Sequence, residues 1–215
     1  MYLFKRSPLP RRPVARPVAA AAPQRSAAAP DPSLEALTGE WTIDPAHSRI
    51  GFAVRHAMVT TVRGCFTEYD SYLYFDGRDP RRSRAEIVMA AASVDTGVEQ
   101  RDAHLVSPDF LDAATYPQIT FRSTRVTIAG EDVYHMTGDL TIRDVTRPVV
   151  LEMTYIGHVT DPFGYQRAGF DGTTTINRSD WGLTYNARLA HGGAMVSEKV
   201  RLQFDIAAIR TAPTE

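Results

Sequence analysis

Apolar and polar residues alternate along six or more stretches of this chain, one after another between Trp41 and Arg210. Successive side chains of a strand point to opposite faces, so each stretch predicts a strand with one buried and one solvated face. The last stretch shows this most clearly, with apolar Val200, Leu202, Phe204 and Ile206 separated by Arg201, Gln203 and Asp205. Many such strands in series must curl around a shared interior.

The alternation places strands at residues 41–44, 48–58, 62–76, 84–95, 118–129, 133–143, 147–160, 167–177 and 198–210. The third is long enough to need a bulge or bend. Its alternation places Phe66, Tyr72 and Tyr74 on one face and Tyr69, Leu73 and Phe75 on the other. In 48–58 it places Ile50, Phe52, Val54 and Met58 on one face.

One passage is helical rather than alternating. Residues 99–106 are charged and show no alternation, and Ser107-Pro108 resembles an N-cap that opens a further helical turn. Short connections favour antiparallel pairing, and closure removes exposed strand edges. We therefore predict an all-β, extended eight-stranded antiparallel barrel with a short helical insertion near residues 99–112. A two-sheet sandwich is the competing architecture.

The N-terminal 38 residues have a different composition. Residues 1–37 contain seven prolines and nine alanines, which predicts a disordered segment at 1–38 followed by one domain at 39–211. Prolines and arginines interrupt the place where a secretion signal needs a continuous apolar stretch, which favours a cytoplasmic protein, with a periplasmic or secreted one as the alternative. The segment carries a charge of +4, so contact of a basic tail with anionic lipid is an alternative to a solvated leader.

Overall charge and cysteine content exclude several classes of protein. The formal net charge is −1, so residues 39–215 carry −5, which argues against a nucleic-acid surface. Cys65 is the only cysteine, so no disulfide forms within the chain. No run of 18 apolar residues is present to form a membrane-spanning helix.

Several short motifs resemble parts of catalytic or metal sites, but each lacks the partner residues or the spacing that the chemistry requires. Asp95-Thr96-Gly97 matches the aspartic-protease tripeptide, but no second copy exists to share a proton. Asp44, His47 and Ser48 lie too close in sequence to converge as a hydrolase triad. The six histidines lack the spacing of metal ligands. Asn177-Arg178-Ser179 fits the N-glycosylation sequon, but without a secretion signal we interpret the match as coincidence. We predict no catalytic residue, no metal site and no cofactor.

Several blocks of sequence, in order, resemble the YceI-like family of polyisoprenoid-binding proteins. They are 41–48 (WTIDPAHS), 50–56 (IGFAVRH), 93–97 (SVDTG), 101–105 (RDAHL), 109–112 (DFLD), 116–121 (YPQITF), 138–143 (GDLTIR), 145–149 (VTRPV) and 176–183 (INRSDWGL). Two positions depart from the family pattern: Asp144 and Ser71 stand where glycine is usual. The resemblance covers residues 40–210 and implies a bacterial, lipocalin-like barrel whose long apolar channel holds a polyisoprenoid or similar long-chain amphiphile.

On this reading the protein carries or stores an isoprenoid lipid. The inward faces would line the channel, and polar residues at strand ends and on the helical insertion would meet the head group. The predicted ligand contacts are Ile50, Phe52, Val54, Arg55, His56, Arg101, Asp102, Leu151, Met153, Phe170, Ile176, Asn177, Arg178, Leu202 and Phe204. As further partners we expect a peripheral membrane contact and a homodimer, but no nucleic acid.

Other functions remain compatible with the same pattern. A barrel whose side chains fill its own interior would show the same alternation and would make only protein contacts. An enzyme that acts on an isoprenoid lipid, with His56 or an aspartate at the channel mouth, is a further alternative.

Overall fold

The computed structural model describes residues 32–187 and 193–211. Eleven strands account for most of this part of the chain. Their bounds are β1 Gly39–Ile43, β2 Arg49–His56, β3 Thr60–Phe66, β4 Tyr69–Phe75, β5 Arg84–Ala90, β6 Val94–Asp95, β7 Gln118–Ile128, β8 Val133–Ile142, β9 Val145–Thr160, β10 Gln166–Asn177 and β11 Val196–Arg210. Helix α1 covers Glu99–Leu105. Short 3-10 helices lie at Pro32–Leu37, Pro80–Arg82, Ala91–Ser93 and Arg178–Trp181.

The strands close into an eight-stranded antiparallel barrel. Hydrogen bonding follows the order β1-β4-β5-β7-β8-β9-β10-β11, and β11 pairs again with β1 to complete the ring. Strand β2 continues the path of β1 along β11, and β3 and β6 extend the wall beside β2. The predicted barrel is confirmed. The sandwich alternative is wrong because the pairing of β11 with β1 joins the strands into one closed sheet.

The predicted third strand, which was expected to need a bulge or bend, is divided into two strands, β3 and β4. The strand breaks at Thr67-Glu68 between β3 and β4. The break shifts the alternation, so Phe66 packs against the core together with Tyr69 and Phe75 rather than on the opposite side. Met58 was also assigned inward, but it lies in the β2–β3 turn with positive φ and is exposed.

The helical insertion lies where it was predicted. Helix α1 ends at Leu105, and Ser107 opens the turn through Phe110 and Leu111, which is not helical. The Ser107 hydroxyl donates to the His104 carbonyl at 2.8 Å and accepts from the Asp109 amide at 3.3 Å, so it closes the end of α1 and caps the turn that follows. Among the described residues, no helix is long and apolar enough to span a membrane.

The folded part of the chain begins before the predicted boundary at residue 39. Pro32–Leu37 forms a 3-10 helix, and Leu34 and Leu37 are buried in the core. Trp41 Nε1 donates to the Leu37 carbonyl at 2.9 Å, and Gly77 N donates to Thr38 Oγ1 at 3.0 Å. We call residues 32–38 the cap segment and the barrel end that it covers the cap end. The rest of the predicted disordered segment, 1–31, lies outside the described residues.

Candidate functional site

An apolar channel runs through the barrel. It has a volume of about 270 Å³, and its walls come from the inward faces of the strands. Many inward side chains, among them Phe52, Met153 and Leu202, are only partly buried although they point away from the outer surface. All three line the channel. The barrel therefore does not fill its own interior, and the predicted hollow centre is present.

Glycines opposite large side chains help to keep the channel open. Gly64 pairs with Phe52 across β2 and β3, and a Cβ on Gly64 would lie 2.4 Å from the Phe52 ring. Gly172 pairs with Met153 and Phe204, and a Cβ there would lie 2.3 Å from the Met153 sulfur. Because these glycines lack side chains, their large neighbours lie against the wall rather than across the centre.

Both ends of the channel are covered by short segments. At the cap end, Leu34 and Leu37 line the channel beside Phe75 and Asp76. At the opposite end, which we call the loop end, Leu105 of α1 and the residues that follow it line the channel. Asp76 and Arg178 are the only charged residues in the lining that the described part of the chain provides.

The structure brings together the apolar part of the predicted site. These side chains come from four strands and all line the channel: Ile50, Phe52, Val54, Leu151, Met153, Phe170, Ile176, Leu202 and Phe204. The alternation alone places them there, because cross-strand partners share a face. Contact of these residues with a ligand stays a prediction.

The polar residues predicted at the mouth do not line the channel, apart from Arg178. Arg55 donates to the Met58 carbonyl at 2.7 Å and to Thr61 Oγ1 at 3.1 Å, so it closes the β2–β3 turn. His56, beside that turn, is half-buried. Since both residues lie at the outer rim of the turn, they are not brought to the channel.

Arg101, Asp102 and Asn177 also make local contacts. Arg101 donates to the Thr96 hydroxyl and carbonyl, at 2.6 and 2.9 Å, and Asp102 accepts from the Thr96 amide at 3.0 Å. These bonds fix the chain just before α1. Asn177 donates to Asp180 Oδ2 at 3.4 Å and is exposed.

Arg178 lines the channel, but its guanidinium organises the loop end. It is 5% exposed. Its Nε donates to the Ser197 carbonyl at 3.1 Å, and its Nη1 donates to the carbonyls of Tyr185, at 2.8 Å, and Leu183. These bonds connect the segment after β10 to the start of β11. The contacts of Arg178 are therefore structural.

The sequence analysis missed several channel residues. Leu34 and Leu37 fell in the segment predicted to be disordered, although their spacing of three is that of a helical face. Phe110 and Leu111 lie in the turn after α1, where no periodicity marks them. Only the apolar character of these two segments could have indicated from the sequence that they line the channel.

The hydrolase-like residues near the start of β2 form a structural network on the outer surface. Asp44 Oδ2 accepts from His47 Nδ1 at 2.7 Å and from Arg167 Nη1 at 2.6 Å. Burial alone would raise the pKa of Asp44, but these hydrogen bonds outweigh it and hold the pKa below its ordinary value. Ser48 Oγ instead bonds the backbone of Ala207, so no triad forms.

In the part of the chain that the structure describes, no group of three or more His, Cys, Asp or Glu side chains could hold a metal ion.

The two positions that depart from the family pattern are accommodated locally. Ser71 Oγ accepts from the Ile43 amide at 2.8 Å where β1 and β4 separate. In the β8–β9 turn, positive φ falls on Arg143 rather than on Asp144.

Comparisons with known proteins agree with this geometry. A family model described as YceI-like domain matches residues 41–208. A "UPF0312 protein" from Pseudomonas savastanoi pv. phaseolicola is 38% identical over 151 residues, which are 69% of this chain and 79% of that protein.

Solved structures share the barrel. BcnA of Burkholderia cenocepacia superposes with a TM-score of 0.67 at 25% identity, covering 77% of this chain and 98% of that one. A polyisoprenoid binding domain from Saccharophagus degradans gives a TM-score of 0.60 at 14% identity, covering 80% of this chain and 98% of that one. The second likeness concerns the fold alone.

Proposed function

The chain belongs to the YceI-like domain family, and from this premise we propose that it binds a long-chain isoprenoid or similar amphiphilic lipid as a carrier or store. The observation that carries the proposal is the channel, which is enclosed by the barrel wall and lined almost entirely by apolar side chains. The choice of an isoprenoid follows the domain from Saccharophagus degradans, which has the same fold and is described as polyisoprenoid binding.

The size of the channel determines how much of a lipid it holds. Each methylene group that the channel buries contributes about 0.8 kcal/mol before the costs of ordering the chain. Several buried groups therefore outweigh a single polar contact at the mouth.

We propose binding without chemical conversion. The two charged groups in the lining are held by local contacts: Asp76 Oδ1 accepts from the amides of Arg78 and Asp79 at 3.1 and 2.9 Å, and Arg178 holds backbone carbonyls. Neither is arranged as an acid-base pair at a reacting atom. Turnover of a polyprenyl substrate that is abolished by His56→Ala would contradict this proposal.

Native mass spectrometry followed by organic extraction tests the function directly. We expect an apolar molecule of defined mass to accompany the purified protein, or a supplied polyprenol to bind. Leu202→Trp adds bulk inside the channel and should abolish binding, whereas Gln203→Trp adds the same bulk on the outer face and should leave it unchanged. Equal binding by both variants would show that the ligand does not occupy the channel.

A further inference from the structure

The polar side chains of the channel lining are gathered at its cap end. In the described part of the chain they are Asp76, Ser83, Tyr134, Tyr155 and Arg178. Of these, Arg178 lies at the loop end, where it holds backbone carbonyls. The other four lie where β4 ends, where β5 and β8 begin, and where β9 passes beyond its pairing with β8. An amphiphile in the channel therefore meets hydrogen-bonding partners for its head group at the cap end.

A β-bulge in β9 brings Tyr155 and His158 to the same face of the sheet. Tyr155 pairs with Phe170, and His158 pairs with Ala168. The two residues of β9 are three positions apart and their partners on β10 only two, so β9 carries one extra residue here. On a regular strand, residues three apart point to opposite faces. Because of the bulge, Tyr155 and His158 both take the face that Phe170 and Ala168 present to the core. Gly157 in the bulge has a φ of 147°, a conformation that favours glycine.

Tyr155 and His158 form a hydrogen-bonded pair at the mouth of the channel. The Tyr155 hydroxyl lies 2.5 Å from His158 Nδ1, and the two rings stack with their centroids 6.4 Å apart. Tyr155 lines the channel, whereas His158 is exposed, so the pair connects the apolar interior with solvent. Toward the interior, the Tyr155 ring contacts Phe170, with the centroids 5.6 Å apart. Tyr134 lines the channel one diagonal position away on β8, because its partner Met153 lies two residues before Tyr155.

The charges around this mouth favour an uncharged head group over a phosphate. A phosphate is usually held by arginine, through parallel hydrogen bonds from the guanidinium. Arginines around the mouth bond other groups of the protein, namely Arg78 with Glu35, Arg82 with Asp76, Arg167 with Asp44 and Asp161, and Arg210 with the Ala36 carbonyl and Gln166. The charged group that lines the channel at this end is the Asp76 carboxylate, which repels an anion. A hydroxyl needs only neutral partners, such as a tyrosine and a histidine.

We propose that Tyr155 and His158 form the head-group site of the channel and that this site takes the hydroxyl of a long-chain isoprenoid alcohol. The inference rests on the proposed function and adds an orientation to it, with the head group at the cap end and the tail toward the loop end. In the neutral imidazole, Nε2 is a donor when Nδ1 accepts from Tyr155 and an acceptor when Nδ1 donates. A hydroxyl both donates and accepts, so it matches the pair in either arrangement.

Equilibrium binding of three radiolabelled ligands to the full-length protein tests the proposal. Phytol, phytyl monophosphate and phytane share a branched isoprenoid tail and carry a hydroxyl, a phosphate and no head group. We expect the wild type to bind phytol more tightly than phytyl monophosphate. Tyr155→Phe keeps the ring and removes the hydroxyl, so it should weaken phytol about fivefold and leave phytane unchanged. Tyr72→Phe is the matched control, because the Tyr72 hydroxyl donates to Glu40 at 3.1 Å and Tyr72 is not in the channel lining.

His158→Ala, at an exposed position, tests the same pair without touching the channel wall. It should weaken phytol as much as Tyr155→Phe does, and the double variant should lose no more than either single variant, because the two residues act together. Circular dichroism reports the folding of each variant.

Three results would overturn the head-group site while leaving lipid binding intact. They are phytol binding that neither variant changes, an equal loss of phytol and phytane in Tyr155→Phe, or tighter binding of phytyl monophosphate than of phytol. The second result would assign Tyr155 to packing of the tail. If the wild type binds neither phytol nor phytane, the proposed function itself fails and the head-group site fails with it.

Discussion

Gly77→Ala should release the cap segment while leaving the barrel intact. A Cβ on Gly77 would lie 1.6 Å from the Leu34 carbonyl oxygen and 2.9 Å from the Glu35 Cα, both of which are backbone atoms. Neither atom can yield by a rotamer change, so the cap must move. Gly77 lies in the turn after β4 and does not have positive φ, so its backbone conformation does not itself require glycine.

The cost follows from what the cap buries. Leu34 and Leu37 are 8% and 5% exposed, and returning two leucines to water costs about 3–6 kcal/mol. The regained freedom of the released residues offsets part of this cost. We therefore expect the free energy of unfolding to fall by about 1–3 kcal/mol.

Trp41 reports the release directly. It is 1% exposed, and its indole donates to the Leu37 carbonyl. In Gly77→Ala we expect stronger acrylamide quenching of its fluorescence and faster amide exchange at residues 34–38. Trp181 is buried at the loop end and bonded to the Leu140 carbonyl, so it supplies a constant background.

Gly130→Ala is the control, since its Cβ would meet nothing closer than 3.4 Å. Unchanged quenching and exchange in Gly77→Ala would refute the tight contact between residue 77 and the cap. If the channel binds lipid, the same variant should also release a bound polyprenol faster than Gly130→Ala does.

Three further predictions concern polar groups. The Tyr69 hydroxyl is buried without a hydrogen-bond partner among the described residues, so Tyr69→Phe should raise the free energy of unfolding by about 1 kcal/mol in urea titrations. A fall in the free energy of unfolding would show that the Tyr69 hydroxyl has a hydrogen-bond partner. The lowered pKa of Asp44 contributes stability above about pH 4 that disappears as pH falls through the folded pKa. The stability gap between wild type and Asp44→Asn should therefore narrow from pH 5 to pH 2, and a constant gap would contradict the assignment. In Arg178→Lys a single ammonium group cannot occupy the positions of both Nε and Nη1, which bond carbonyls on two different segments. The variant should therefore lower the free energy of unfolding by about 2 kcal/mol, whereas Arg201→Lys, at an exposed position, should leave it unchanged.

The alternation of apolar and polar residues predicted most of the barrel because every strand has one solvated face. Strands β7 to β11 begin and end within two residues of the predicted positions. The prediction failed where the alternation is interrupted, as at Thr67-Glu68, because the break between β3 and β4 resets which side chains face inward. It also failed for the cap, because the helical spacing of Leu34 and Leu37 does not reveal the distant strands against which they are buried.

The polar part of the candidate site was less predictable because sequence position does not reveal what a polar side chain bonds. Arg55 and Arg101 lie near strand or helix ends, as a residue at the channel mouth would, but their donors are used by neighbours within six residues. Arg178 differs because its partners include Ser197, nineteen residues away along the chain. Local hydrogen bonds of this kind satisfy a donor without bringing it to the site.

Whether the barrel is hollow or filled depends on where the large residues lie, and alternation alone does not decide this. Phe52 and Phe204 would reach across a small barrel if their cross-strand neighbours also carried side chains. Gly64 and Gly172 face them instead, so both rings rest against bare backbone. Glycine weakens a strand on its own, but aromatic cover restores packing at that point. The recurrence of this pairing in the wall thus moves aromatic volume outward from the centre, which leaves the space that an apolar chain would occupy.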